Sequence, residues 1–325
     1  MLISRRAVAT LLIGGLLLAA CGTAAVPPAT TPVPEPSVIP ADEVLQVVAT
    51  NSILGEFVEQ VAGEHIALRV LVERGGDAHT FDPTPADSAA LATAQLVVEN
   101  GLEFEPWLDD LYGASGSQAV RLVAADRITP RPADEDEHGD EDEHGHGEYD
   151  PHIWHDVANA IIMVENIRDG LSAVDAANAA SYEANAAAYI AELQALDAFV
   201  IERVAGLPEA RRRMVTTHDT FGYFAERYGF TIVGSALGSI STEVGDPSAA
   251  TIVQLVEEIR AADVPAIFGE NVSNPGLIAM IAREAGVAVA PPLYTDALGD
   301  VGSPGATYIE MVRYNVTTIV AALSA

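Results

Sequence analysis

The fold of this chain is decided by the stretch VLQVVAT, which spans residues 44–50. Its apolar residues are nearly continuous and several are β-branched, which is typical of a strand buried on both faces of a parallel sheet. A helical pattern follows from Ile53 to Ala62, and a second apolar run extends from Ile66 to Val72. Buried strands that alternate with helices predict an α/β domain with a parallel sheet.

The same alternation continues and then restarts in the second part of the chain. Further strands are predicted over residues 96–101, 214–217, 231–235, 266–269 and 287–290, and further helices over residues 87–94, 156–171, 221–228, 247–262, 275–285 and 307–323. Between the two parts, residues 175–204 are rich in Ala, Leu, Glu and Gln and contain no Pro or Gly. One helix of this length is about 45 Å long and could pass from one domain to the next; the alternative is a kinked pair of ordinary helices.

Composition restricts the partners of the chain. The 325 residues include 47 Asp and Glu against 16 cationic residues, all of them Arg, so the formal net charge is −31 at pH 7. A nucleic-acid binder needs a basic face, which this chain lacks, and cations are the partners that its charge attracts. With one Cys, neither an internal disulfide nor a Cys-based zinc finger can form.

The amino terminus has the pattern of an export signal. Arg5 and Arg6 precede an apolar run over residues 7–20, which is too short to span a bilayer. The run ends at Cys21 in a sequence that resembles a bacterial lipobox, so we predict a signal peptide over residues 1–20 and a lipidated Cys21. The alternative is a buried free Cys in an N-terminal anchor, and both general and twin-arginine export stay open.

A Pro-rich segment follows and predicts an extended tether over residues 21–41. The folded part is therefore expected to begin near residue 42, outside the cytoplasm and anchored to the cell membrane through Cys21.

Another segment that breaks the pattern lies over 134–149, has no apolar residue before Tyr149 and combines acidic residues with three histidines. These are His138, His144 and His146. Carboxylates and imidazoles on a solvated chain are loose ligands for divalent cations, so we predict weak auxiliary metal contacts. The alternative is a solvated acidic loop with incidental histidines.

Three other histidines and one aspartate follow predicted strands or precede a helix. They are His79, His152, His218 and Asp296. Ligands of parallel α/β sheets bind beyond the carboxyl ends of strands, and three imidazoles with one carboxylate suit four-coordinate zinc. His155 is interpreted as a surface residue or as a residue behind the ligands. Pro151 is expected to stiffen the segment, and Trp154 is expected to exclude water.

The segments that contain these residues resemble the substrate-binding lipoproteins of zinc/manganese ABC importers, the ZnuA-like and TroA-like proteins of cluster A-I or cluster 9. The resemblance extends over almost all of the chain after residue 44. Its motifs lie at residues 76–85, 100–108, 150–156, 217–224, 267–270 and 294–298. The resemblance implies two α/β lobes joined by one long helix, over 42–174, 175–206 and 207–325, with the metal between the lobes. It also implies His79, His152, His218 and Asp296 as ligands, a permease and ATPase as partners, and a monomer.

The resemblance implies an importer component rather than an enzyme. Some relatives replace the third histidine by Glu and favour manganese, so His218 favours Zn(II), with Mn(II) import as the alternative. Because the ligands must be deprotonated, the affinity for metal is expected to fall as the pH drops through the usual pKa of histidine, about 6.5. Two further hypotheses stay open at this point: a zinc hydrolase with Glu270 as its base, and a surface adhesin or metal reservoir without a permease.

Overall fold

The computed structural model describes residues 44–133 and 147–325. Several of the predictions concern other parts of the chain and lie outside the described residues: the signal peptide over 1–20, the tether over 21–41, Cys21, His138, His144 and His146. Among the residues that are described, no helix is both long and apolar enough to cross a membrane.

Strands and helices alternate along both described ranges. The strands are β1 (Leu45–Asn51), β2 (Ile66–Val72), β3 (Leu96–Glu99), β4 (Val120–Val123), β5 (Arg213–Thr216), β6 (Thr231–Ser235), β7 (Ala266–Glu270) and β8 (Ala288–Leu293). The helices are α1 (Ser52–Ala62), α2 (Pro85–Thr93), α3 (Leu108–Ser115), α4 (Val157–Val174), α5 (Ala179–Ala205), α6 (Gly222–Tyr228), α7 (Ala249–Ala261), α8 (Pro275–Ala285) and α9 (Tyr308–Leu323).

The strands pair in parallel, which confirms the predicted α/β fold. The first four form one sheet in the order β2-β1-β3-β4. In the second part of the chain β5 pairs with β6 and β7 pairs with β8, and β5 lies against β7. Parallel strands end at the same edge of a sheet, so the loops that follow them are brought together. The prolines of β8 are tolerated because this strand pairs on one side only.

The sequence patterns did not predict α3 and β4. Only Leu108 of α3 is buried, and the helix contains two aspartates in its first turn and a glycine. β4 has four residues, none of them buried. Short elements at the edge of the fold bury too little apolar surface to show a periodic pattern.

The long helix forms as one uninterrupted element, but it begins at Ala179 and not at Asp175. Asp175 ends α4, and its side chain accepts hydrogen bonds from Asn178 and Tyr182. These contacts stabilise a turn between the two helices. α5 packs against α1 and α4 of the first part and against α6 and α9 of the second. We call residues 44–174 the amino-terminal half and residues 207–325 the carboxy-terminal half, and the exact lobe boundaries stay a prediction.

One buried carboxyl group of the amino-terminal half makes stability depend on pH. Burial raises the pKa of Glu105 to about 7, although hydrogen bonds from Thr50 and the backbone N–H groups of Asn100 and Gly101 oppose the rise. The folded state therefore holds this proton more tightly than the unfolded state, whose pKa is near 4.5. The contribution is most favourable below pH 4.5 and is lost as the pH rises through 7.

We expect Glu105→Gln to flatten the pH dependence of folding. The wild type should lose on the order of 2–3 kcal/mol from this group between about pH 4.5 and about pH 8, and the variant should not. Denaturant unfolding at several pH values, with a chelator present, measures the difference. Identical pH slopes for the two proteins would contradict this role of Glu105.

Candidate metal centre

Four buried side chains meet where the loops of the two halves come together. His79 lies in the loop after β2, His218 two residues after β5, and Asp296 three residues after β8. His152 precedes the short turn Ile153–His155 that leads into α4. Each of the four side chains is at most 5% exposed. The loops of the parallel strands thus supply three of the four groups.

The four side chains point their ligating atoms at a common centre. The Nε2 atom of His152 lies 3.4 Å from Nε2 of His79 and 3.3 Å from Nε2 of His218. The carboxylate oxygens of Asp296 lie 3.1 Å from Nε2 of His218 and 3.7 Å from Nε2 of His79 and of His152. One ligating atom from each of the four residues lies within 4.8 Å of the others.

These distances suit a small divalent cation. In a tetrahedral site with bonds of about 2.0–2.1 Å, neighbouring ligand atoms are about 3.3–3.4 Å apart. The observed separations bracket that value. Oδ2 of Asp296 is buried and has no hydrogen-bond partner in the described part of the chain, whereas Thr220 contacts Oδ1 at 3.4 Å. A bound cation would satisfy this otherwise costly atom.

An acidic residue holds the outer nitrogen of His152. Asp150 Oδ1 lies 2.8 Å from Nδ1 of His152 and also accepts a hydrogen bond from its backbone N–H. The other oxygen of Asp150 lies 3.3 Å from the guanidinium of Arg131. A carboxylate on Nδ1 keeps the proton there and presents Nε2 as the free ligand atom.

Glu270 does the same for His218. Its Oε2 atom lies 2.5 Å from Nδ1 of His218, and its Oε1 atom accepts the backbone N–H groups of Thr217 and His218. Glu270 therefore lies behind the imidazole, on the side away from the other ligand atoms. It is not placed as a general base beside the metal, which is the role that the hydrolase hypothesis required.

The charges of the site follow from burial and from these carboxylates. Burial lowers the pKa of His79 to about 3, so its imidazole is neutral. Burial also disfavours charge on His218, but Glu270 and Asp296 overcome this effect and raise the pKa of His218 well above 6.5. Burial would raise the pKa of Asp296, yet the neighbouring His218 holds it below its usual range. The carboxylate is therefore ionised, and a metal bound at Nε2 of His218 would have to displace a proton from that ring.

Aromatic rings line the inner side of the site. Phe104 contacts the ring of His79 at a centroid distance of 4.9 Å and that of Trp154 at 4.8 Å. Trp154 lies 5.4 Å from the ring of His152, and its Nε1 donates to the carbonyl of Thr295, next to Asp296. Trp154 thus packs beside the site and fastens the loop of Asp296 to the segment over residues 150–156, and its exclusion of water stays a prediction.

The prediction of a surface position for His155 is wrong. Its side chain is 3% exposed, and its ring lies 4.4 Å from that of Phe221. It does not belong to the group of ligating atoms, and its Nε2 has no hydrogen-bond partner among the described residues. The short turn Ile153–His155 directs this ring into the core between Trp154 and Phe221.

We expect His155→Phe to leave metal affinity unchanged. Phenylalanine keeps the ring contact with Phe221 and removes a buried nitrogen that lacks a partner among the described residues, so the melting temperature should be unchanged or higher. A metal titration and a thermal melt of the variant measure both quantities. A clear loss of metal affinity would show that His155 supports the ligands directly.

Sequence reasoning missed the roles of two residues of the site. It placed Asp150 only within its motif, and it considered Glu270 only as the base of a hydrolase. An acidic residue two positions before a histidine is a signal that could have pointed to Asp150. For Glu270 the signal is its place at the end of a buried strand, although its contact with His218 spans 52 residues.

The chain is similar over most of its length to known metal-binding proteins. A family model described as zinc-uptake complex component A, periplasmic, matches residues 47–322. The manganese-binding lipoprotein MntA of Halalkalibacterium halodurans is 36% identical over 282 residues, which covers 87% of this chain and 89% of the relative. The iron-binding protein YfeA of Yersinia pestis is 31% identical over 84% of this chain and 85% of its own length.

Solved structures show the same architecture. The periplasmic zinc-binding protein TroA from Treponema pallidum matches with a TM-score of 0.76 and 29% identity, over 85% of this chain and 98% of that chain. A manganese-bound periplasmic metal-binding protein from Candidatus Liberibacter asiaticus matches with a TM-score of 0.75 and 27% identity, over 85% of this chain and 98% of that chain.

Proposed function

Because this chain belongs to the family of the periplasmic zinc-uptake complex component A, we propose that it captures Zn(II) between its two halves and delivers it to an ABC permease. It is a metal-binding, extracytoplasmic component of an ABC importer, which works with a permease and an ATPase. The family is a transport component and not an enzyme, so the hydrolase hypothesis is dropped. The same assignment favours transport over the adhesin or reservoir hypothesis.

We propose His79, His152, His218 and Asp296 as the ligands of the transported ion. The observation that carries this proposal is the convergence of three Nε2 atoms and one ionised carboxylate within 4.8 Å, all from buried side chains. Capture needs no bond-making beyond coordination. Since a four-ligand site without an open position releases its ion slowly, release requires the permease to disturb the contacts between the halves.

The donor set is the argument for zinc over manganese. Imidazole suits zinc, and carboxylate or water oxygen suits manganese, so three nitrogens and one oxygen favour zinc. Manganese stays the second candidate on a specific observation. Two relatives, 36% and 32% identical, are named manganese-binding lipoproteins.

A competition experiment decides between the two ions. Metal-free protein is titrated with Zn(II) and with Mn(II) near pH 7.5 against a chromophoric chelator, and the stoichiometry is measured by calorimetry. Zinc capture predicts one tight zinc site and much weaker manganese binding. Tighter manganese binding would assign the protein to manganese import, and the absence of any tight site would overturn the ligand set.

The anchor and the acidic loop belong to the same proposal. We infer that Cys21 carries the lipid, that residues 21–41 act as the tether, and that the protein acts as a monomer. The histidines at 138, 144 and 146 would hold extra ions weakly. Mass spectrometry of the membrane-extracted protein tests the acylation, since a Cys21→Ser variant should lose both the lipid and membrane retention.

A further inference from the structure

The loop between β6 and α7, residues 236–248, contacts the ligand loops of both halves. Its Ser239 carbonyl accepts the backbone N–H of Asp219, which follows His218. Its Thr242 hydroxyl donates to Oδ2 of Asp77 across a distance of 2.5 Å. Thr242 belongs to the carboxy-terminal half and Asp77 to the amino-terminal half, so this hydrogen bond joins the two halves beside the metal site.

Asp77 transmits that contact to a ligand. While its Oδ2 atom accepts from Thr242, its Oδ1 atom accepts the backbone N–H of His79 at 2.9 Å. Both oxygens of one half-buried carboxylate are therefore engaged, one by each half of the protein. A shift of Thr242 moves Asp77, and a shift of Asp77 moves the backbone of His79.

His79 depends on this support more than the other two histidine ligands do. Asp150 holds the outer nitrogen of His152, and Glu270 holds that of His218. In the described ranges no carboxylate holds Nδ1 of His79 in this way. Its ring is positioned by contact with Phe104 and by the conformation of its own loop, which Asp77 stabilises.

The loop that contains Thr242 has its own internal support. The hydroxyl of Ser239 accepts the backbone N–H of Ser241 at 3.0 Å, and the hydroxyl of Ser241 accepts that of Glu243 at 3.0 Å. These serine turns fix the backbone on both sides of Thr242. Removal of the Thr242 hydroxyl therefore removes the contact with Asp77 and leaves the loop's own hydrogen bonds in place.

We propose that Asp77 and Thr242 are a positioning pair that retains the transported ion by fixing His79 and by opposing separation of the halves. The inference rests on the proposed function, because it assigns a role in holding the same ion. For His79 to leave the ion, the loop that contains it must move away, and that movement breaks the hydrogen bond between Asp77 and Thr242. The bond thus slows dissociation of the ion.

The test measures the rate at which zinc dissociates. Zinc-loaded protein is mixed with excess chromophoric chelator in a stopped-flow instrument, for the wild type, Thr242→Val, Thr242→Ser and Thr242→Ala. Loss of a hydrogen bond to a charged group predicts dissociation about tenfold faster for the valine and alanine variants than for the wild type. The serine variant keeps the hydroxyl and should restore the wild-type rate.

Two controls separate this proposal from the function on which it rests. Thr317→Val alters an exposed threonine of α9 and should leave the dissociation rate unchanged. His79→Ala should abolish tight binding if the ligand set is right. Wild-type rates for both Thr242→Val and Thr242→Ala, with His79→Ala impaired, would overturn the positioning pair alone. Unimpaired binding by His79→Ala, or no binding by the wild type, would overturn the proposed function as well.

Discussion

Replacing His218 by alanine is expected to weaken zinc binding by about 100- to 1,000-fold. The binding free energy of a four-ligand zinc site, about 10–16 kcal/mol, corresponds to about 2.5–4 kcal/mol for each ligand. The change also leaves Glu270 buried beside a cavity, without the imidazole that it contacts at 2.5 Å. Competition against a chelator of known affinity measures the loss.

The matched control for this change is His65→Ala. His65 is half-buried, contacts Tyr182 and lies outside the group of ligating atoms, so the control should bind zinc with wild-type affinity. Equal affinities for the wild type and His218→Ala would show that His218 is not a ligand. In that case the choice between zinc and manganese, which rests on three imidazoles, would have to be reopened.

Replacing Glu270 by glutamine is expected to cost about 10- to 100-fold in zinc affinity, which is the usual effect of losing a partner behind a metal ligand. Glutamine can accept the backbone N–H groups of Thr217 and His218 with its one oxygen. Its amide N–H₂ group then faces Nδ1 of His218, which must become an acceptor. The imidazole proton moves to Nε2, the atom that binds the metal.

The outcome distinguishes a tautomer effect from a structural one. Glu270→Gln should keep its fold and its melting temperature more closely than Glu270→Ala, yet bind zinc more weakly than the wild type. Glu202→Gln, on an exposed position of α5, is the matched control and should change nothing. Wild-type affinity for Glu270→Gln would mean that Glu270 does not set the protonation of His218.

Local sequence patterns were sufficient to predict most of the strands and helices. The apolar runs at β2 and β6 and the helix α8, with proline at its start, coincide with their predicted bounds. Asp156, predicted as the first residue of its helix, is the N-cap of α4 and accepts the N–H of Ala158. These features depend on neighbours within a few residues, which a sequence shows directly.

Side-chain placement was predicted less well where it depends on distant residues. His155 was interpreted as a surface residue or as a residue behind the ligands, but the turn after His152 directs it against Phe221, a residue of the carboxy-terminal half. Likewise, Glu270 lies close to His218 only because β7 lies against β5. Neither contact can be predicted from the hydrophobic periodicity of the neighbouring sequence.

The amino-acid sequence was enough to establish the parallel α/β class, the approximate positions of most strands and the chemical types of the four candidate ligands. Those properties follow from hydrophobic periodicity and from residue identity, both of which are local. It took the folded structure to establish that His79, His152, His218 and Asp296 converge, that Asp150 and Glu270 orient two of the imidazoles, and that Thr242 contacts Asp77. These distances depend on the packing of the whole core, because the core brings together residues that are far apart in the chain. A buried polar group can pair only with the groups that the fold places beside it.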